Sequence, residues 1–255
     1  MLTSNMDEKI IAFTIDIDWA PEEAISDTMR LFEEREIAAT LFCTHDSATL
    51  KNANRTLFEL GVHPNFNALL TGNGEVGISP ERLLDDALAL YPESVGIRSH
   101  STTQNSPLLN LMASRSELAY EANAFYPYNW NLGPYILWNG LRRVPYNWED
   151  DIHFEYEFAF DDLKIDFAGG NYFVFDFHPA HIALNTYSRG YYAQYKAAFY
   201  NGDTPMNYQN SAKVGARDAL SSLLDWVERE GHTPMHMRDI AQLAVNPGQQ
   251  YSREL

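Results

Sequence analysis

The sequence predicts an α/β fold built on parallel strands, either a (β/α) barrel or a doubly wound sheet. Five short apolar runs, at residues 9–15, 38–44, 58–62, 95–97 and 172–175, are rich in β-branched and aromatic residues and read as buried strands. Helical periodicity fills several of the intervals between them, the alternation that builds βαβ units. Each run also ends on an acidic or metal-competent side chain. In parallel sheets and barrels the carboxyl ends of the strands meet on one face, where ligands bind, so these side chains should converge.

In chain order, residues 9–15 run into Asp16-Ile17-Asp18. Pro21, Glu22 and Glu23 suit the start of a helix, where free N–H groups and the positive end of the dipole favour proline and acids. Ile25, Met29 and Phe32 follow at helical spacing, so residues 21–35 should form an amphipathic helix. The strand at 38–44 completes a βαβ unit and runs into His45-Asp46. Residues 58–62 end at His63, and Pro64 then forces an extended or turn geometry. A helix over 80–90 carries Leu83, Leu84 and Leu88, and a strand at 94–97 leads to Arg98-Ser99-His100. Residues 107–118 read as helix and 119–123 as a short strand. Residues 125–138, full of aromatics, Asn, Pro and Gly, read as a long ordered loop over the barrel mouth. A strand at 142–146 enters Asn147-Trp148-Glu149-Asp150-Asp151, and residues 172–175 run into Asp176-Phe177-His178. Residues 187–215 read as an irregular Tyr- and Asn-rich insertion, 216–230 as an amphipathic helix ended by Gly231, and 237–243 as a short helix. With no internal repeat, low-complexity tract or linker, one domain over residues 1–255 is expected.

Composition narrows the function. The chain is 45% apolar and 21% charged, ordinary for a globular protein. A net charge of −17 argues against nucleic acid or an anionic membrane surface as the main partner, although Arg142-Arg143 leaves room for a local basic pocket. The single Cys43 lies within an apolar run and cannot form an internal disulfide. The first nine residues lack an apolar secretory core, and no run approaches membrane-spanning length. A soluble cytoplasmic protein without membrane insertion is expected, and its oligomeric state is left open.

Asp16 and Asp18 are two residues apart on a strand, so they project from one face. Two adjacent carboxylates repel unless a cation or shared proton intervenes, so one of them binding a metal and the other accepting a proton is a natural division. His63 and His100 each finish a strand-like run, and one Asp with two imidazoles is a common shell for Zn²⁺ or a similar ion. Arg98 could share a face with His100, either bonding Asp16 or contacting substrate. His178 is the candidate general acid and His181 its fallback, because imidazole titrates near neutral pH. Asp176 could orient a histidine. His45, Glu149, Asp150, Asp151 and His153 carry less weight, since solvated loop positions explain most of them. Together the set points to a metallohydrolase. An Asp-x-Asp after a strand also opens haloacid-dehalogenase-like phosphatases, but the bulky Trp19 and the histidine set fit that chemistry poorly.

Three segments, Phe13-Thr14-Ile15-Asp16-Ile17-Asp18-Trp19-Ala20-Pro21, Ala39-Thr40-Leu41-Phe42 and Glu59-Leu60-Gly61-Val62-His63, resemble the polysaccharide deacetylase family, carbohydrate esterase family 4. Gly96-Ile97-Arg98-Ser99-His100 and Phe175-Asp176-Phe177-His178-Pro179 fit later blocks of that family, and with residues 146–151 they look most like its O-antigen biosynthesis branch. The resemblance spans roughly residues 9–245. It implies a distorted or incomplete (β/α) barrel and a metal-dependent hydrolase that removes an N-acetyl group from an amino sugar of a lipopolysaccharide-type surface polysaccharide or its precursor. Asp16 matches the catalytic base, Asp18 and His63 match metal ligands, Arg98 falls near the base, and His178 matches the catalytic acid. The family's second histidine lies four residues after the first, where this chain has Asn67. His100 is expected to supply the missing ligand, with Asn67 as the weaker candidate. If neither does, a degenerate sugar-binding or scaffold relative becomes the alternative. One divalent ion is implied, zinc by default, with iron, cobalt or nickel fitting the same ligands. Trp19, Trp148 and Tyr135 are the expected sugar-stacking residues.

Overall fold

A computed structural model describes residues 9–70, 78–200, 203 and 205–246. β1 (Ile10–Asp16) leads into α1 (Glu22–Glu33), which begins behind Pro21 with Glu22 and Glu23 in its first turn. A left-handed Glu36 turns the chain into β2 (Ala39–Cys43). α2 (Ala48–Lys51), capped by the Ser47 side chain, precedes β3 (Phe58–Val62). α3 (Asn67–Leu70) and α4 (Pro80–Leu90) follow, then β4 (Gly96–Ile97), α5 (Ser106–Ala113) and β5 (Tyr120–Glu121). The two-residue strands β6 (Tyr135–Ile136), β7 (Arg142–Arg143) and β8 (Trp148–Glu149) lead to α6 (Asp150–Glu155). The chain continues through β9 (Tyr172–Phe177), α7 (Pro179–Leu184), α8 (Arg189–Tyr200), α9 (Ala216–Glu230) and α10 (Met237–Gln242).

The strands form one curled sheet in the order β6-β7-β5-β4-β3-β2-β1-β9-β8, parallel throughout except for the β6–β7 pair. This is the expected incomplete barrel. Side-chain alternation divides it into two cores. Odd residues of β1 (Ile11, Phe13, Ile15) and of β9 (Phe173, Phe175, Phe177), with Leu41, Leu60 and Val62, pack outward against the helices. Ala12, Phe42, Tyr120, Tyr172 and Val174 face inward. Thr14, Asp16, His63, Arg98, Asp176 and His178 continue this inner register toward the carboxyl ends, because each is an even number of residues from an inward neighbour or its paired position.

α10 closes the opposite end. The N–H of Met237 donates to Thr40 Oγ1 (3.0 Å) and that of Arg238 to Glu59 Oε2 (3.0 Å), so the buried Glu59 receives a helix N-terminus. Tyr120 also donates to Glu59, at 2.9 Å, and its ring crosses directly over Gly96, where any Cβ would collide with it.

Two sequence expectations need correction. Residues 187–215 are not irregular, since they contain α8 and a 3-10 turn at Pro205–Tyr208. Tyr187, Tyr191 and Tyr195 stack at four-residue spacing with centroids 4.8 Å apart, and Tyr208 stacks on Tyr195 at 4.9 Å. The helix is thus held by an aromatic ladder rather than by an aliphatic stripe. The helix expected at 107–118 stops at Ala113, where the Ser114 hydroxyl donates back to the Leu111 carbonyl (2.6 Å) and competes with helix propagation. Residues 125–138 are mostly loop, as read, with β6 inside them.

Candidate active site

The carboxyl ends of β1, β3, β4 and β9 bring Asp18, His63, His100, Asp16, Arg98 and His178 into one cleft. Just past β1, both Asp18 (φ 43°) and Trp19 (φ 56°) are left-handed, a strained pair for non-glycine residues. The Trp19 N–H is anchored on Thr44 Oγ1 at 3.0 Å, and the turn aims the Asp18 carboxylate back over the sheet. Asp18 Oδ1 lies 2.9 Å from His100 Nδ1 and 3.3 Å from His63 Nε2. Ligand atoms of these three residues all fall within 4.8 Å of one another.

The tautomer of His63 follows from its surroundings. Its Nδ1 is 2.8 Å from the Arg98 carbonyl, which only accepts, so Nδ1 carries a proton and Nε2 is the nitrogen turned to Asp18: it donates there when the ring is protonated, and its lone pair is what a bound ion would take instead. One carboxylate and two imidazoles, one with its tautomer fixed from behind, suit a divalent transition ion. Burial opposes ionisation of Asp18, yet hydrogen bonds from His100 and His63 and the charge of His178 hold its carboxyl well below the usual range. Burial would lower His63, but the charges of Asp16 and Asp18 raise it.

Asn67 stays outside this group. Its amide donates to Ser101 Oγ (3.2 Å) and its oxygen accepts from Thr103, so it braces the loop behind His100. That loop turns through left-handed Ser101 (φ 53°) and Thr102 (φ 49°).

Arg98 is fully buried, with its guanidinium between the rings of Phe42 (4.5 Å) and Tyr146 (4.2 Å). Its Nη1 donates to Asp16 Oδ1 at 2.9 Å, to Thr14 Oγ1 at 3.1 Å and to Asp176 Oδ1. Asp16 is thereby fixed with Oδ2 toward His63 Nε2, 3.5 Å away. Asp176 faces the site, but it holds Arg98 rather than a histidine. Burial first, and then the charge of Asp16, lift Asp176 to about 7 against the opposing pull of Arg98.

His178 sits across the cleft, its Nε2 3.7 Å from Asp18 Oδ2. Asp150 grips it twice, Oδ1 accepting from Nδ1 at 2.7 Å and Oδ2 from the backbone N–H at 3.0 Å. Burial alone would lower this imidazole. The Asp150 charge and hydrogen bond, with Asp151 and Asp18, overcome it and raise His178 well above the ordinary histidine value. His181 is the opposite case, since burial and the neighbouring His178 charge push it far down and leave it neutral. Asp150 is the residue that sequence reasoning underweighted. Three consecutive acids offered no way to choose among them, and only the switch from β8 to α6 at that point aims Asp150 at His178.

Of the expected stacking residues, Trp19 is half-exposed beside the cleft and meets the His100 ring edge-on at 5.1 Å. Trp148 is a correction. It is completely buried, packed on Phe177 at 5.0 Å with its indole N–H directed to the Leu163 carbonyl, and has no surface to offer a sugar. Tyr135 lies on the edge strand β6, paired with Arg143.

The family model for WbmS-like polysaccharide deacetylases matches residues 13–196. The chain belongs to the polysaccharide deacetylase family. A Bordetella bronchiseptica protein described as a polysaccharide deacetylase involved in O-antigen biosynthesis, WbmS, is 38% identical over 85% of this chain and 90% of its own, with a TM-score of 0.76. The fold is also that of the peptidoglycan deacetylase PdaC of Bacillus subtilis (12% identity, 97% and 96% coverage, TM-score 0.52). A carbohydrate esterase family 4 pseudoenzyme of Bacillus anthracis shares it too (10% identity, 92% and 66% coverage, TM-score 0.50). A search of curated proteins finds no match. Since the same fold carries proteins described as deacetylases and one described as a pseudoenzyme, activity in this family member follows from the site rather than from the fold.

Proposed function

We propose that this protein is a metal-dependent N-deacetylase acting on an amino sugar of an O-antigen-type polysaccharide or its precursor. The observation that carries the reading is the placement of Asp16 and His178 around the Asp18–His63–His100 group. Asp18, His63 and His100 would hold the ion, zinc by default. When bound, it would supply Lewis-acid polarisation of the acetyl carbonyl.

The remaining steps belong to the chain's own groups. Asp16 Oδ2, with Oδ1 pinned by Arg98, takes the proton of the attacking water. His178, charged through Asp150 and with Nδ1–H committed to it, presents Nε2–H to the departing nitrogen. Acetate and a free amino sugar leave. Trp19, and Tyr135 more distantly, would contact the sugar.

Among the described residues no helix is long and apolar enough to cross a membrane, and Cys43 is buried and free. Both suit action in the cytoplasm on a biosynthetic precursor, the location this reading adopts. The test is metal analysis of the purified protein together with acetate release from N-acetylated sugars. Stoichiometric zinc with acetate release that chelation abolishes is expected; the absence of both bound metal and acetate release would overturn the reading.

A further inference from the structure

A small cleft of about 200 Å³ opens from Asp18, between Trp19 and Pro21 on one side and Ala180, Tyr192 and Lys196 on the other. Asp18 itself lines the cleft, so the cleft adjoins the site at that carboxylate, and Ala180 on its opposite wall follows His178 by two residues on α7. It is smaller than the roughly 300–1,000 Å³ of sites that enclose whole ligands, and fits a ring substituent rather than a further stretch of polymer. Its far wall is α8. The tyrosine ladder occupies one stripe of that helix, and the adjacent stripe, Tyr192 and Lys196 four residues apart, faces the cleft. Tyr192 is wedged edge-on against His181 at 4.4 Å, and the Lys196 ammonium lies 5.3 Å over the Tyr192 ring.

The chain has 35 acidic and only 18 basic residues, so a lysine has ample acids to pair with. Among the described residues Lys196 nevertheless has no carboxylate partner. The carboxylates of the site are already engaged: Asp16 and Asp176 by Arg98, Asp18 by His63 and His100, and Asp150 by His178. The Lys196 charge reaches the site all the same, contributing to the depression of His181.

We infer that Trp19, Tyr192 and Lys196 form a subsite for a negatively charged substituent, a carboxylate or a phosphate, on the amino sugar that is processed. This rests on the deacetylase reading for the sugar and adds its charge. The sugar ring would lie along Trp19, and the anion would extend to the ammonium, where a charge-assisted hydrogen bond is available. A uronate ring and a sugar attached to a carrier through phosphate both supply that chemistry.

The test measures binding by calorimetry at low salt, and acetate release in parallel, for N-acetylglucosamine, N-acetylglucosaminuronic acid and N-acetylglucosamine 1-phosphate. Wild type should bind a charged probe about tenfold more tightly than the neutral sugar, the scale of one charge-assisted bond at a partly exposed position, and salt should erode the gap. Which charged probe gains separates a ring carboxylate from a phosphate. Lys196 is exposed, so Lys196→Gln should fold normally and abolish the preference, and Lys196→Glu should reverse it. Equal binding of all three probes, no binding of either charged probe, or a preference that survives in Lys196→Gln overturns the subsite. Lys196-dependent binding with no acetate from any probe would instead leave the subsite standing and remove the deacetylase reading.

Discussion

Replacing Asp150 by Asn tests the proposed general acid with minimal change of shape. Asp150 accepts from His178 Nδ1 at 2.7 Å and from the His178 backbone N–H at 3.0 Å, and both groups are buried. Two unit charges about 4 Å apart at an effective dielectric of about 20 attract by roughly 4 kcal/mol. That attraction favours the protonated imidazole. An asparagine oxygen still accepts one of the hydrogen bonds but carries no charge, so the His178 value should fall toward that of an ordinary histidine. The acid works only when protonated. Wild-type kcat/KM should therefore fall as pH rises through the raised His178 value, and in Asp150→Asn this basic limb should move to lower pH, with turnover above the shifted value reduced by up to the roughly 10²–10⁴-fold that a general acid contributes. Stability should follow the same sign. A raised folded pKa stabilises fully below about 6.5, the unfolded value, and this contribution is lost as pH rises through the folded value. The Tm deficit of the variant should therefore be larger at pH 6 than at pH 9. An unshifted basic limb with wild-type turnover would refute the assignment of His178 and of Asp150 behind it.

The other expectations concern metal, charge and packing. Asp18→Ala and His100→Ala should lose bound metal in elemental analysis, whereas Asp16→Asn should keep it and lose turnover; full metal content in His100→Ala would remove His100 from the ligand set. Arg98→Met leaves Asp16 and Asp176 buried beside each other without their cation, and urea denaturation should show a loss of about 3–5 kcal/mol. Trp148→Ala should cost about 3–5 kcal/mol from the packed interior, while Trp19→Ala should leave Tm within about a degree or two and raise KM instead.

The long strands and the helices with aliphatic stripes were legible because each repeats its own period several times. β3 falls at Phe58–Val62 as expected, and α9 at Ala216–Glu230 ends at a left-handed Gly231 (φ 69°). The two-residue strands β6 and β8 offer too few residues for any period, and pairing with neighbours alone defines them, whereas β7 keeps only the first two residues of the strand expected at 142–146. α8 was hidden for another reason: tyrosine carries both an apolar ring and a polar hydroxyl, so a stripe of tyrosines reads as a polar loop until its rings are seen to stack. In the site, residues that end regular strands could be placed by counting in twos. Residues whose aim depends on a chain reversal could not, which is why Asp150 was underweighted and Trp148 was misplaced.

Asn67 illustrates how such a site can be rebuilt. The family resemblance places a second histidine there, one helical turn beyond His63, on a segment that in this chain is the four-residue α3. On the proposed ligand set the equivalent imidazole comes from just past β4: His100 lies 2.9 Å from Asp18, and the chain then turns through Ser101 and Thr102, two left-handed residues that each cost about 1–3 kcal/mol. Strain of that size persists only where the surroundings hold it, and Asn67 does so by bonding Ser101 with its amide and Thr103 with its oxygen. On the proposed ligand set, the position would have exchanged a direct donor for a brace on the donor that replaces it. Asn67→Ala should then leave His100 present but poorly aimed, weakening metal affinity about tenfold or more as for other residues behind a ligand, without the complete loss expected of His100→Ala. Asn67→His should not restore what is already supplied, because an imidazole cannot both donate to Ser101 and accept from Thr103 with the amide's geometry. Metal affinity in Asn67→His equal to or above wild type would show that the loop needs no brace and that position 67 can still act as a ligand.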